Sequence, residues 1–166
     1  MRMLVQTQMR TPAGSLFLVA REHLLLAAGF RSFADLHQRM DDSEFKIGVK
    51  DVKQIPIITE LVENYFDGDL SAINGIQVRQ PGSEFSQDVW KAMRKIPAGK
   101  TWSYADLAKK IGSPAAVRAV GTACGKNLVA PIIPCHRIVK SGGALGNYGF
   151  GVETKELLLR HEGALQ

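Results

Sequence analysis

The apolar positions of the first eighty residues change period twice. Leu4 to Met9 reads as a strand, and Thr11-Pro12-Ala13-Gly14-Ser15 punctuates it as a turn. Leu16 to Ala20 is a short apolar run, Arg21-Glu22-His23 a second turn, and Leu24 to Phe30 a third strand. This spacing predicts an antiparallel meander. From Ser32 the period becomes helical. Ser32 is the predicted N-cap of a helix from Phe33 to Met40, with Phe33, Leu36 and Met40 on one face. Residues 41–51 are charged and read as a loop. Ile55 to Phe66 reads as a second helix stopped by Gly68, and Ile73 to Val78 as a last strand. Pro81-Gly82 marks a boundary between a domain over 1–80 and one over 81–166.

The second half is helical at first. Phe85, Val89, Trp90 and Met93 form one stripe, and Ile96-Pro97-Ala98-Gly99-Lys100 ends it. Ser103 with Asp106 three residues on makes a capping box, followed by an inner face of Leu107, Ala108 and Ile111. Gly112-Ser113-Pro114 is a short turn, after which Ala115 to Gly125 forms a third helix. Two helices joined by a turn of about three or four residues suggest a helix-turn-helix. The second of these carries small side chains (Ala119, Gly121, Thr122) and one long cation, Arg118. It fits two readings equally: a surface that lets a backbone or narrow groove approach closely, or a helix packed in a core.

Composition narrows the class. The chain has 166 residues, 45% of them hydrophobic and 22% charged, as in an ordinary globular protein. Membrane spans and a secretory leader are not expected, and the two cysteines point to a reducing, intracellular (cytoplasmic) setting without a disulfide framework. Charge is uneven. Residues 1–80 hold 9 Lys/Arg against 10 Asp/Glu, and residues 81–166 hold 12 against 6. The positive excess makes nucleic acid the leading partner for the second half, with an unspecialised basic surface as the plain alternative. His23 and His37 lack partners at ligand spacing and read as surface or boundary residues.

Pro134-Cys135-His136-Arg137-Ile138-Val139 holds the reactive chemistry. A thiol flanked by His and Arg is placed to lose its proton, and a charged pair inside an apolar run is costly without a use. His161-Glu162-Gly163 supplies a carboxylate that could orient His136.

These residues resemble the O6-alkylguanine-DNA alkyltransferases (methylated-DNA–protein-cysteine methyltransferases). The resemblance is strongest over 83–164 and rests on Pro134 to Val139, Arg118-Ala119-Val120-Gly121, Ser103-Tyr104, Lys155-Glu156-Leu157-Leu158 and His161-Glu162-Gly163. The first half matches loosely, through Thr11 to Leu16 and Tyr65-Phe66-Asp67-Gly68. It implies an α/β fold: a small ribonuclease-H-like N-terminal domain, then a winged-helix-like helix-turn-helix domain bearing the active-site cysteine. It also implies a single-turnover DNA-repair enzyme that flips O6-alkylguanine (and O4-alkylthymine) from duplex DNA through the minor groove and moves the alkyl group to Cys135. Carried over, His136 takes the thiol proton through a water and Glu162 orients His136. Tyr104 donates to the leaving guanine near the 3′ phosphate, and Asn127 braces the turn before the active-site strand. Arg118 fills the base stack, and Ala119, Gly121 and Thr122 meet DNA. Tyr148, Gly149 and Phe150 line the pocket. No metal or cofactor is implied, and the partner is alkylated duplex DNA met by a monomer, with room for cooperative assembly on DNA. Two residues depart from the family pattern: Phe150 stands where glycine is common, which predicts a narrower pocket mouth, and Cys124 stands where Met or Asn is frequent and reads as a packing residue. The first half lacks the cysteines with which some members bind zinc, so no zinc is expected. The readings weighed against this one are a cysteine hydrolase, a non-catalytic lesion binder and a transcription regulator.

Overall fold

The computed structural model describes residues 2–166 and divides into two compact units. The first comprises residues up to Gln80 together with Leu128–Ile132; the second comprises Pro81–Asn127 and Ile133–Gln166. The boundary at 80/81 coincides with Pro81-Gly82, but the chain also sends 128–132 back to the first unit. There Val129 bridges Ala28, and the Leu128 amide donates to Gln80 Oε1 at 2.8 Å.

The first unit is a five-stranded mixed sheet. Strands β1 (Leu4–Thr11), β2 (Gly14–Arg21) and β3 (Leu24–Gly29) form the antiparallel meander. Helix α1 (Phe33–Arg39) follows, and the Asp35 amide donates to Ser32 Oγ at 3.0 Å. β4 (Val49–Asp51) then pairs parallel with the outer side of β1. This strand lies inside the segment read as a loop. Its Lys50 and Asp51 are exposed, which hides an edge strand among charges. Helix α2 (Ile58–Phe66) begins three residues later than the Ile55 expected from periodicity. Pro56 disfavours helical backbone at Ile55, and Ile57 takes a φ of +73°, so the chain turns before it coils. β5 (Gln77–Val78) closes the far side against β3, and Ile73 lies in a 3₁₀ turn rather than in that strand. The sheet order is β4-β1-β2-β3-β5. Leu16, Leu18, Leu25, Leu36, Ile58 and Tyr65 are among its buried side chains.

In the second unit, helix α3 (Glu84–Met93) is capped by Ser83, whose Oγ accepts from the Ser86 amide. Its buried stripe is Val89, Trp90 and Met93, with Phe85 only half-buried. Gly82 must be glycine, because a Cβ there would fall 2.6 Å from the Trp90 ring. The short strand β6 (Trp102–Ser103) leads into α4 (Tyr104–Lys110), whose capping box is complete: Asp106 N donates to Ser103 Oγ and Ser103 N to Asp106 Oδ2. Residues 111–116 separate α4 from α5 (Val117–Gly125), so the turn is longer than the three or four residues expected and α5 starts two residues after Ala115. The extra turn is held by the Ser113 amide on Ala108 O and the Ala116 amide on Ser113 O. Trp90 Nε1 donates to Ala123 O at 2.9 Å and joins α3 to α5. After the segment in the first unit, β7 (Ile138–Val139) pairs parallel with β6, and α6 (Val152–His161) ends the unit.

Candidate active site

Cys135, His136 and Arg137 form one 3₁₀ turn immediately before β7, and the C-terminal end of α6 brings Glu162 beneath them. His136 and the Glu162 carboxylate are fully buried. His136 Nε2 lies 2.8 Å from Glu162 Oε2, and Arg137 donates to the same carboxylate twice, Nε to Oε1 at 2.9 Å and Nη2 to Oε2 at 2.8 Å. Arg137 Nη1 donates to Ile96 O at 2.7 Å, which ties the cluster to the turn that follows α3. Burial alone would raise the Glu162 pKa, but the bonds from His136 and Arg137 outweigh it and hold the carboxyl well below the usual carboxylate range. His136 goes the other way: burial pushes its pKa down despite Glu162, so the ring is neutral near pH 7. Neutral His136 therefore gives its Nε2–H to Glu162. Its Nδ1 is buried and has no hydrogen-bond partner among the described residues.

Cys135 remains partly exposed as a residue, and burial of its thiol pushes the pKa up. The expectation that flanking His136 and Arg137 would favour the thiolate is therefore corrected, since both are committed to Glu162. The groups that do favour it are Asn127, whose Nδ2 donates to Cys135 Sγ at 3.4 Å and to Ile133 O at 2.9 Å, followed by Lys155 and Tyr148. Burial likewise raises the pKa of Tyr104, the first residue of α4, and its hydroxyl is electrostatically coupled to both cysteines. No cluster of three His, Cys, Asp or Glu residues among those described could hold a metal.

The comparisons fit this geometry. The family model described as "6-O-methylguanine DNA methyltransferase, DNA binding domain" matches residues 84–164. The methylated-DNA–protein-cysteine methyltransferase of Shigella flexneri is 34% identical, and the alignment covers 98% of this chain and 97% of that protein. That of Salmonella typhimurium LT2 gives the same figures over 166 residues. Among solved structures, Mycobacterium tuberculosis OGT in complex with DNA superposes with a TM-score of 0.81 at 31% identity, over 96% of this chain and 93% of that one. The chain belongs to the methylated-DNA–protein-cysteine methyltransferase family.

The remaining residues carried over from the family fall into two groups. Arg118, Ala119 and Thr122 lie on the exposed side of α5, opposite buried Val120, Ala123 and Cys124. This helix is thus both a packed face and an open one. Gly121 is half-buried, and a Cβ there would stand 3.9 Å from the Tyr104 ring, an ordinary contact that the fold itself could accept. Tyr148, Gly149 and Phe150 lie in the loop after β7, where the Tyr148 and Phe150 rings meet edge-to-face with centroids 5.5 Å apart. Cys124 packs inside, 3.7 Å from Met93 Sδ, and its thiol is pushed up to about 12, mainly by burial.

Two participants were not legible as such. The sequence presents Arg137 as a neighbour of the thiol, yet it clamps Glu162. Lys155 stood only as part of a motif, and α6 was not assigned as a helix. The signal was present: Lys155, Leu158 and Leu159 stand at helical spacing and all three are buried, a lysine on an apolar face.

Proposed function

We propose that this chain repairs alkylated duplex DNA by direct reversal. It takes the alkyl group of O6-alkylguanine, and of O4-alkylthymine, onto Cys135 and works once. The observation that carries this reading is one 3₁₀ turn that carries the Cys135 thiol next in sequence to a neutral histidine, whose Nδ1 has no partner among the described residues and whose Nε2 donates to a buried carboxylate. It lies in the same unit as a helix of small exposed residues and a single cation.

The open face of α5 enters the minor groove, where Ala119, Gly121 and Thr122 allow close approach. Extruding the damaged base costs a few kcal/mol, and Arg118 offsets that by filling the gap in the stack. Tyr148, Gly149 and Phe150 receive the base. His136 Nδ1 then accepts the Cys135 proton through a water, and the resulting imidazolium is held by ionised Glu162, which Arg137 keeps in place. The sulfur attacks the alkyl carbon in line: the S–C bond forms, the C–O bond breaks, and the electron pair goes to the guanine. Tyr104 donates its proton to the guanine as that charge builds and recovers one from the medium. The thioether is neutral and stable, so no second turnover follows. Asn127 fixes the sulfur's direction. The protein acts as a monomer, in a reducing cytoplasm where the thiol stays free.

The test is intact-protein and peptide mass spectrometry after mixing with a duplex holding one O6-methylguanine. The expected result is a gain of one CH2 unit on Cys135, absent in Cys135→Ala. Repeated turnover by unmodified protein, or transfer persisting in Cys135→Ala, would refute the reading.

A further inference from the structure

Lys155 is fully buried, and no carboxylate pairs with it among the described residues. Its Nζ donates to Ile138 O at 2.6 Å and to Asn147 O at 3.4 Å. Ile138 follows the Cys135 turn directly, and Asn147 precedes Tyr148 in the loop. One ammonium thus ties three pieces of chain: α6, the start of β7 and the Tyr148 loop. The loop needs such a tether, because it pairs with no sheet and turns on Gly142, Gly143 and Gly146 at positive φ. An ammonium has three N–H donors, and the carbonyls take two.

A buried cation without an anion is costly. Burial pushes the pKa of Lys155 down, and the groups that favour its charge are Cys135 first and then Cys124. Cys124 remains a thiol at neutral pH, since its pKa is pushed up to about 12. The anion that remains is the Cys135 thiolate.

We propose that Lys155 is a positioning residue for Cys135: its ammonium is the counter-charge the reacting thiolate meets, and its carbonyl bonds hold the Cys135 turn and the Tyr148 loop together. This rests on Cys135 being the alkyl acceptor, but the test does not need DNA. Alkylation of Cys135 by iodoacetamide is followed against pH in wild type, Lys155→Met and Lys155→Arg. The other groups facing the sulfur are Asn127, Tyr148, Tyr104 and Cys124, and all are unchanged in these variants.

Lys155→Met should react about tenfold or more slowly at neutral pH, since each unit of thiol pKa changes the thiolate fraction tenfold, with its midpoint moved to higher pH. Lys155→Arg should recover much of the loss. An unchanged rate and midpoint in folded Lys155→Met would overturn the proposal, because a merely structural lysine would leave the midpoint in place. Should Lys155→Met fail to fold, the wild type decides. The Lys155 side-chain 15N resonance should shift as Cys135 titrates and lose that response in Cys135→Ser. A flat resonance would overturn the proposal. Failure of methyl transfer from DNA alongside a Lys155-dependent midpoint would count against the repair reading alone.

Discussion

His136 and Glu162 meet at 2.8 Å in a place neither side chain shares with solvent, and each alters the other's protonation. His136 and Arg137 hold Glu162 ionised, while burial holds His136 neutral against the pull of Glu162. Both folded-state pKa values lie below the ordinary ones, so both stabilise the fold above those ordinary values and lose that contribution as pH falls. Stability measured by denaturant melts should therefore drop in two steps on acidification, one beginning below about 6.5 for His136 and one below about 4.3 for Glu162. In His136→Gln the first step should disappear. In Glu162→Gln the buried Arg137 loses its counter-ion, which should cost about 3–5 kcal/mol. Methyl transfer should slow by about 100- to 10,000-fold with the general base unsupported.

Gly99 should behave as a remote part of the same cluster. Its φ is +89°, and an added Cβ would stand 3.1 Å from the Glu162 carbonyl oxygen. Gly99→Ala should lower stability by about 1–3 kcal/mol through backbone strain. It should also slow transfer by displacing Glu162, whereas Gly112→Ala, equally left-handed but with open space around it, should affect stability alone. Single-turnover rates beside thermal melts of the two variants separate the effects.

The difference between what was legible in the sequence and what was not follows from range. The meander turns on short segments around Pro12-Ala13 and Glu22-His23, and the serine caps at Ser32 and Ser103 act on amides three positions on, so local pattern and side-chain chemistry reveal them. β4 was missed because its pairing with β1 spans about forty-five residues and its own side chains are charged. The role of Arg137 is not legible in the sequence because its partners, Ile96 and Glu162, are 41 and 25 residues away. Cys135 and His136 stood out because a reactive pair inside an apolar run is locally anomalous, but the direction of the thiol's pKa depended on burial, which no spacing encodes.

Cys124 should be inert. It is buried against Met93, and its thiol stays protonated at neutral pH. Cys124→Ala should accept one methyl per chain at the wild-type rate, with a stability loss of about 1 kcal/mol for the vacated volume. Quantified methyl transfer and a denaturant melt check both, and a second methyl equivalent in wild type would contradict it.

Arg118 is exposed in the free protein and makes no contact on which the cysteine's chemistry depends. Arg118→Ala should leave the reaction with free O6-methylguanine base unchanged. With duplex DNA the few kcal/mol of extrusion are no longer offset, and each 1.4 kcal/mol is a factor of ten, so transfer should fall on the order of 10- to 100-fold. Equal losses on base and duplex would remove Arg118 from the flipping step.

Phe150 stands at the pocket loop with its ring against Tyr148. If Tyr148, Gly149 and Phe150 line the substrate pocket as proposed, this ring narrows a mouth that a glycine would leave open, and a bulky benzyl group must push it aside. Forcing a large group into an occupied space costs about 1–3 kcal/mol. Inactivation by free O6-benzylguanine should therefore be slow in the wild type and roughly tenfold or more faster in Phe150→Gly. Methyl transfer from DNA, which brings a far smaller group to the sulfur, should change little. Matched inactivation rates in the two proteins would show that the ring does not gate the pocket, and the narrowing would then have to be sought at Tyr148.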